Sequence, residues 1–129
     1  MSNVLTVFME SGRSFPLWGT CLGMQQLSAL VAETDSILSA SKGTWDVSMK
    51  LGNISTLSRM TENMPDDIRE ILSNESVTYN VHYNCVSVEA YKHNEKLHDF
   101  FHVVSTNVAS DGKQFLSTIE GKKIFLKML

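Results

Sequence analysis

The chain has only two cysteines, two prolines and no basic cluster in 129 residues, and each scarcity excludes a class of protein. Cys21 and Cys85 are too few for a disulfide framework, and at 43% hydrophobic residues the chain is of a size that stabilises itself through a core. Eleven Lys and Arg against fourteen Asp and Glu leave a net charge of -3, with the cations scattered, so no nucleic-acid partner and no anionic membrane surface is expected. No apolar run reaches the ~18 residues of a membrane span, so no membrane partner is expected either. The start, Met1 to Glu10, lacks the basic region of a signal peptide and as written carries no export address.

Against this background one segment speaks of chemistry. Phe15-Pro16-Leu17-Trp18-Gly19-Thr20 runs into Cys21-Leu22-Gly23, placing a cysteine in the frame Gly-x-Cys-x-Gly. Gly19 and Gly23 bracket a change of hydrophobic period, from a continuous apolar run to Leu22, Leu27, Leu30 and Val31 on one helical face. Strand, sharp turn and helix in that order form a nucleophile elbow, in which glycine is expected on both sides because a Cβ would not fit. At a helix N-terminus the macrodipole and unpaired N–H groups favour the Cys21 thiolate, and the Leu22 N–H is expected to face an oxyanion. The competing reading is a small buried cysteine in a tight turn.

Downstream, Ile37-Leu38 and Thr44 to Leu51 read as strands of a surface hairpin. Pro65-Asp66-Asp67 opens a short helix with acids in its first turn that ends near Asn74. Ser76 to His82 is a strand that Cys85 to Val88 extends or follows, Asn94 to Phe101 is a helix, and Val103–Thr106 and Phe115–Ile119 are strands joined by Ser110-Asp111-Gly112. The mixture argues for an α/β fold in one domain. Four histidines are available as a base. His93 and His98 lie in a polar helical stretch and are expected on the surface, and His102 is expected to pack. His82 ends a strand and could face a cleft. Trp18 and Trp45 read as core or interface aromatics, and Met24, Met49, Met60 and Met64 as fillers of core gaps. Asn53-Ile54-Ser55 and Asn74-Glu75-Ser76 fit the N-glycosylation acceptor pattern.

Phe15 to Gly23 strongly resembles the nucleophile segment of the gamma-glutamyl hydrolases, members of the class I glutamine amidotransferase-like fold. Ser58-Arg59-Met60 with Pro65, Asn80-Val81-His82, Asn94 to Leu97 with Phe100-Phe101, and Phe115 to Gly121 follow in the order and approximate spacing of that family. The resemblance implies a three-layer sandwich with a mainly parallel central sheet. It implies a cysteine-type omega peptidase that cleaves gamma-linked glutamate from folyl and antifolyl polyglutamates through a thioester, with no metal and no organic cofactor. By position, Cys21 matches the nucleophile, the Leu22 backbone N–H one oxyanion donor, and His82 a histidine of the substrate cleft. Gln25 stands where the hydrolases more often have an acid; it looks like the glutamine of Gly-x-Cys-x-Gly-x-Gln in amidotransferases and is expected to bear on how the glutamyl end is held.

The family's Gly-x-Gln-Trp-His-Pro-Glu motif, with its general-base histidine, does not follow Gly121, and few residues precede the elbow. The expectation is therefore a single partial domain, residues 1–129, truncated at both ends and impaired in catalysis. The alternatives are a non-catalytic interaction protein, pairing with an intact paralogue or with itself as a homo-oligomer, and an amidotransferase subunit. The resemblance also implies a lysosomal or extracellular location, with which the acceptor sites at Asn53 and Asn74 are compatible.

Overall fold

The structure is a computed structural model that describes residues 17–122. Phe15 and Pro16, on which the expected strand before the elbow depends, lie outside the described residues. From the elbow the chain runs α1 (Leu22–Ala32), β1 (Leu38–Ala40), β2 (Val47–Met49), α2 (Asp66–Asn74), β3 (Thr78–Asn80), β4 (Asn84–Val86), α3 (Val88–His93), α4 (Glu95–Phe100), β5 (Phe101–Val108) and β6 (Gln114–Gly121). The mixed α/β composition is as expected.

The sheet arrangement is not. The described strands form three two-stranded pairs, β1 with β4, β2 with β3 and β5 with β6, and all three are antiparallel. A mainly parallel central sheet is therefore absent among the described residues. The physical reason lies in the connections. The turn at Ser110 to Gly112, with Gly112 at φ 83°, folds β5 straight back onto β6, and such short returns dictate antiparallel pairing. Nor do β1 and β2 form the expected hairpin with each other. Each pairs with one arm of the segment 78–86, because Cys85 and Val86 on that segment are buried and draw β1 over them.

The main core joins Ala32, Ile37, Val86, Tyr91, Leu97, Phe101 and Leu116. A smaller cluster holds Cys85, Ala109 and Phe115, with Met49 against it. α1 meets this interior with Gln25, Ser28 and Ala32, spaced i, i+3 and i+7, while Leu22 is 61% exposed and Leu30 is also exposed. Of the apolar face expected to point inward, Leu22 and Leu30 are turned outward, Leu27 is half-buried and Val31 packs against the main core. The inward residues are the ones with specific partners: the Gln25 Nε2 donates to the Asn84 carbonyl at 2.8 Å and the Ser28 hydroxyl to the Met24 carbonyl at 2.8 Å.

α3 begins where a strand continuation was expected. Ser87 caps it, its hydroxyl accepting from the Ala90 N–H at 3.0 Å, and Tyr91 turns into the core to donate to the Phe101 carbonyl at 2.8 Å. Asn94 caps α4 in the same way through the Leu97 N–H. Trp18 is 79% exposed, its indole N–H donating to Thr20, and Trp45 is also exposed, so neither is a core aromatic of the described residues. Met60 is exposed as well.

Candidate functional site

The turn and the helix of the expected elbow form, with no strand at residues 17–20 and the segment before them outside the described residues. Cys21 immediately precedes α1 and takes φ 53°, ψ -111°, a conformation that side-chain-bearing residues rarely adopt. The Gly23 N–H donates to the Thr20 carbonyl at 2.9 Å and the Gln25 N–H to the Cys21 carbonyl at 3.2 Å, so the turn passes directly into the helix. A Cβ on Gly19 would come within 2.6 Å of the Gly23 carbonyl carbon, whereas one on Gly23 would meet nothing within 4 Å. Only the first of the two flanking glycines is sterically required here.

The Cys21 thiol is exposed, and its one hydrogen-bond partner among the described residues is the Val81 carbonyl at 3.7 Å. The Leu22 N–H, at the first helical position, has no backbone partner among the described residues, which leaves it available to an incoming oxygen.

Cys21 opens on a cleft of about 240 Å³. Its walls are Thr20, Met24 and Gln25 from the elbow and α1, the segment 78–82 with Asn84, and Phe115 to Thr118 from β6. His82 is in this wall. Its Nδ1 lies 2.9 Å from the Asn84 carbonyl and its Nε2 3.2 Å from the Asn80 Oδ1, while its ring sits edge-on to Phe115 at 5.6 Å. Asn80 donates its own amide to the Thr78 carbonyl at 2.9 Å, so its oxygen is the atom turned to the imidazole. His82 therefore has an oxygen acceptor within reach of each ring nitrogen, to one of which a neutral ring donates, in the same cleft as Cys21 and without a hydrogen bond to the sulfur.

The other three histidines are accounted for elsewhere. His93 contacts the Glu89 carbonyl, His98 lies 3.7 Å from the Asp99 carboxylate, and His102 lies 3.1 Å from the Ser55 hydroxyl. Among the described residues, no imidazole is within hydrogen-bond reach of Cys21. Gln25 reaches the cleft wall but is 8% exposed and spends its amide N–H on Asn84, so it ties the elbow helix to the loop that carries His82.

Sequence reasoning did not assign Asn80, Asn84 or Phe115 to the site, although Asn80 and Phe115 stand in segments that carry the family resemblance. Asn80 and Asn84 flank His82 by two residues on either side, and that alternation along an extended segment was the signal available. Away from the cleft, Glu120 accepts from the Ser58 hydroxyl at 2.7 Å, the Arg59 N–H at 3.0 Å and the Arg59 Nε at 2.7 Å. Burial pushes its carboxyl up, but the Ser58 and Arg59 hydrogen bonds and the guanidinium charge outweigh it and hold the group below the usual carboxylate value. This network links two segments that the sequence offered as separate motifs, Ser58-Arg59 and Glu120-Gly121. Asn53 and Asn74 are both exposed; Asn53 takes φ 49° and donates its amide to the Thr106 hydroxyl at 2.9 Å.

Fold and site together define a mixed α/β chain with a cysteine elbow opening on a cleft. No protein-family model matches it. Among individual proteins, the chain is 42% identical over 119 residues to the gamma-glutamyl hydrolase of Homo sapiens, a match covering 88% of this chain and 36% of that protein. It is 36% identical over 115 residues to the gamma-glutamyl hydrolase of Rattus norvegicus, covering 88% and 36%. It is 34% identical over 113 residues to gamma-glutamyl hydrolase B of Dictyostelium discoideum, covering 87% and 33%. The chain is a homologue of the gamma-glutamyl hydrolases and spans about a third of the length of these relatives.

Proposed function

We propose that this chain carries the nucleophile half of a gamma-glutamyl hydrolase site and that Cys21 is its nucleophile. The observation that carries the reading is the backbone of Cys21, held at φ 53° at the start of α1 with its thiol exposed at the mouth of the cleft. A non-glycine residue keeps so unfavourable a conformation only where surrounding structure enforces it, and such positions cluster at reactive groups.

The thiolate attacks the carbonyl carbon of a gamma-linked glutamyl amide. The C–S bond forms, the C–N bond breaks, and the departing amine takes up a proton. Water then hydrolyses the thioester and returns the thiol. The Leu22 N–H is assigned to the oxygen that becomes negative in both steps, with donation from one such group contributing about 10²–10³ in rate. His82 and Asn80 line the substrate channel. Gln25 acts from behind, by holding the Asn84 carbonyl and through it the His82 ring.

Because no imidazole contacts the thiol among the described residues, turnover by this chain is expected to be slower by about 10²–10⁴ than with a base in place. The substrate class is folyl and antifolyl polyglutamate, and the whole-enzyme fold is the class I glutamine amidotransferase-like sandwich with a mainly parallel sheet. Matches of 34–42% identity to proteins named gamma-glutamyl hydrolase support both assignments. The location proposed is lysosomal or extracellular, with Asn53 and Asn74 as glycan acceptors; their exposure supports this, and a mass shift on glycosidase treatment of the native protein tests it.

Incubation of the chain with a gamma-linked glutamyl oligomer, beside Cys21→Ala, tests the function through released glutamate and through a thioester adduct seen by mass spectrometry. Release above background with intact Cys21 alone is expected. Equal release from both proteins removes Cys21 from the mechanism.

A further inference from the structure

Away from the Cys21 cleft, a hydroxyl and an imidazole meet at the distance of a nucleophile and its base. The Ser55 Oγ lies 3.1 Å from the His102 Nε2, across 47 positions of sequence, and neither residue lines the cleft. Ser55 is fixed at each of its polar groups. Its N–H donates to the Val104 carbonyl at 2.7 Å, its carbonyl accepts from the Thr61 hydroxyl, and its Oγ accepts from the Leu57 N–H at 3.1 Å. The Leu57 bond occupies one lone pair of the hydroxyl and leaves its proton for the imidazole, in the tautomer that carries hydrogen on Nδ1. The same N–H stabilises negative charge as it develops on the oxygen.

Three further features surround the pair. His102 on β5 stands directly opposite Glu120 on β6, so their side chains share one face of the hairpin. Burial raises the Glu120 carboxyl, but its bonds to Ser58 and Arg59 hold it below the usual carboxylate value, which fixes a negative charge on the face where the imidazole takes up a proton. The Thr56 N–H, directly after Ser55, has no hydrogen-bond partner among the described residues. The residue after a nucleophile is where an oxyanion donor is commonly drawn from. Leu57 is 86% exposed and Met60 is exposed as well, so the surroundings of the hydroxyl favour an uncharged, apolar group.

We propose that Ser55 is a second nucleophile of this chain, a serine that His102 activates to take the acyl group of an uncharged carboxylic ester. The Ser55 hydroxyl proton passes to the His102 Nε2 as the Oγ–C bond forms. The ester C–O bond then breaks, and the departing alkoxide takes that proton from the imidazole. Water hydrolyses the acyl-serine and restores the hydroxyl. This chemistry uses neither Cys21 nor its cleft.

The experiment uses the 129-residue chain with Cys21→Ala, which removes the exposed thiol as a competing acceptor. It is mixed with p-nitrophenyl acetate at neutral pH and quenched in acid. Released p-nitrophenolate reads the reaction, and tandem mass spectrometry of the digested chain locates the acetyl group. Ser48 and Ser76 serve as references, being exposed and hydrogen-bonded to no imidazole among the described residues. Acetyl on Ser55 is expected at roughly tenfold or more its level on either reference, because a positioned base contributes about 10²–10⁴ in rate. His102→Gln keeps a group that can hydrogen-bond the hydroxyl but cannot take its proton, and should bring Ser55 down to the level of the references. Circular dichroism confirms that the variant is folded. Labelling of Ser55 no faster than that of Ser48 and Ser76 overturns the proposal without any variant at position 55 or 102. Labelling in His102→Gln at the parent rate overturns it as well, since the pair would then be structural only.

Discussion

One methyl group added at Gly19 is expected to disrupt the elbow, and the same group added at Gly23 is not. The Cβ of an alanine at position 19 would lie 2.6 Å from the Gly23 carbonyl carbon, 2.8 Å from its oxygen and 2.9 Å from the Leu27 Cδ1. Carbon atoms in comfortable contact stand about 3.5–4.0 Å apart, so the chain must open by close to 1 Å. The first two neighbours are backbone atoms and cannot swing aside as a side chain would. Forced overpacking of this kind typically costs about 1–3 kcal/mol. At Gly23 the added carbon meets open space inside a helix, where Ala is favoured over Gly by up to about 1 kcal/mol. The two substitutions, four residues apart and chemically identical, should therefore differ by about 1–4 kcal/mol, with only Gly19→Ala destabilising. Urea unfolding followed by far-ultraviolet circular dichroism measures this directly. With a slope of about 1.5 kcal/mol per molar, a loss of about 2 kcal/mol lowers the Gly19→Ala midpoint by roughly 1.3 M, while Gly23→Ala should stay level or rise by about 0.5 M. Equal midpoints for the two variants, or a Gly19→Ala protein as stable as the parent, would refute the geometry of the turn.

Cys21→Gly should be more stable than Cys21→Ala by about 1 kcal/mol, because glycine adopts positive φ without strain; identical melting temperatures would mean that Cys21 is not strained. Glu120→Gln should cost about 1–2 kcal/mol at neutral pH through weakened bonds to Ser58 and Arg59. The native Glu120 carboxyl titrates below its ordinary value, so its stabilisation is complete above that value and is lost as pH falls through the lowered one. The gap between parent and variant should narrow as pH falls below the ordinary carboxylate value, and a gap independent of pH contradicts the assignment. Gln25→Leu should cost about 0.5–1.5 kcal/mol by removing the amide donor that the Asn84 carbonyl shares with the His82 ring, and should also shift the His82 ring resonances in a proton spectrum. Unchanged His82 signals would separate Gln25 from the cleft.

How far the chain could be read without coordinates differs from element to element. The turn at Cys21, the helix that follows it and the β5–β6 hairpin were legible, because each is specified by neighbours in sequence: a Gly-x-Cys-x-Gly frame at a change of period, and a Ser-Asp-Gly turn between two apolar runs. α3 was not, since Val86 to Val88 has strand-like composition and only the cap at Ser87 and the burial of Tyr91 turn the following residues into a helix. The surface positions of His93 and His98 could be read from their polar surroundings, and the placement of His82 in a cleft from its position at a strand end.

What the sequence determined by itself was therefore the local chemistry: a cysteine before a helix, and a kinship to gamma-glutamyl hydrolases that follows from residue identity alone. What only the tertiary structure decided was which distant groups meet. The bond from Gln25 to the Asn84 carbonyl, the edge-on seat of His82 against Phe115, and the stacking of Trp45 on Tyr83 all join segments far apart in the chain, by 59 residues in the first case. Contacts of that range are selected by how buried surface and hydrogen-bond partners are shared across the whole fold, and no periodicity within a single segment encodes that competition.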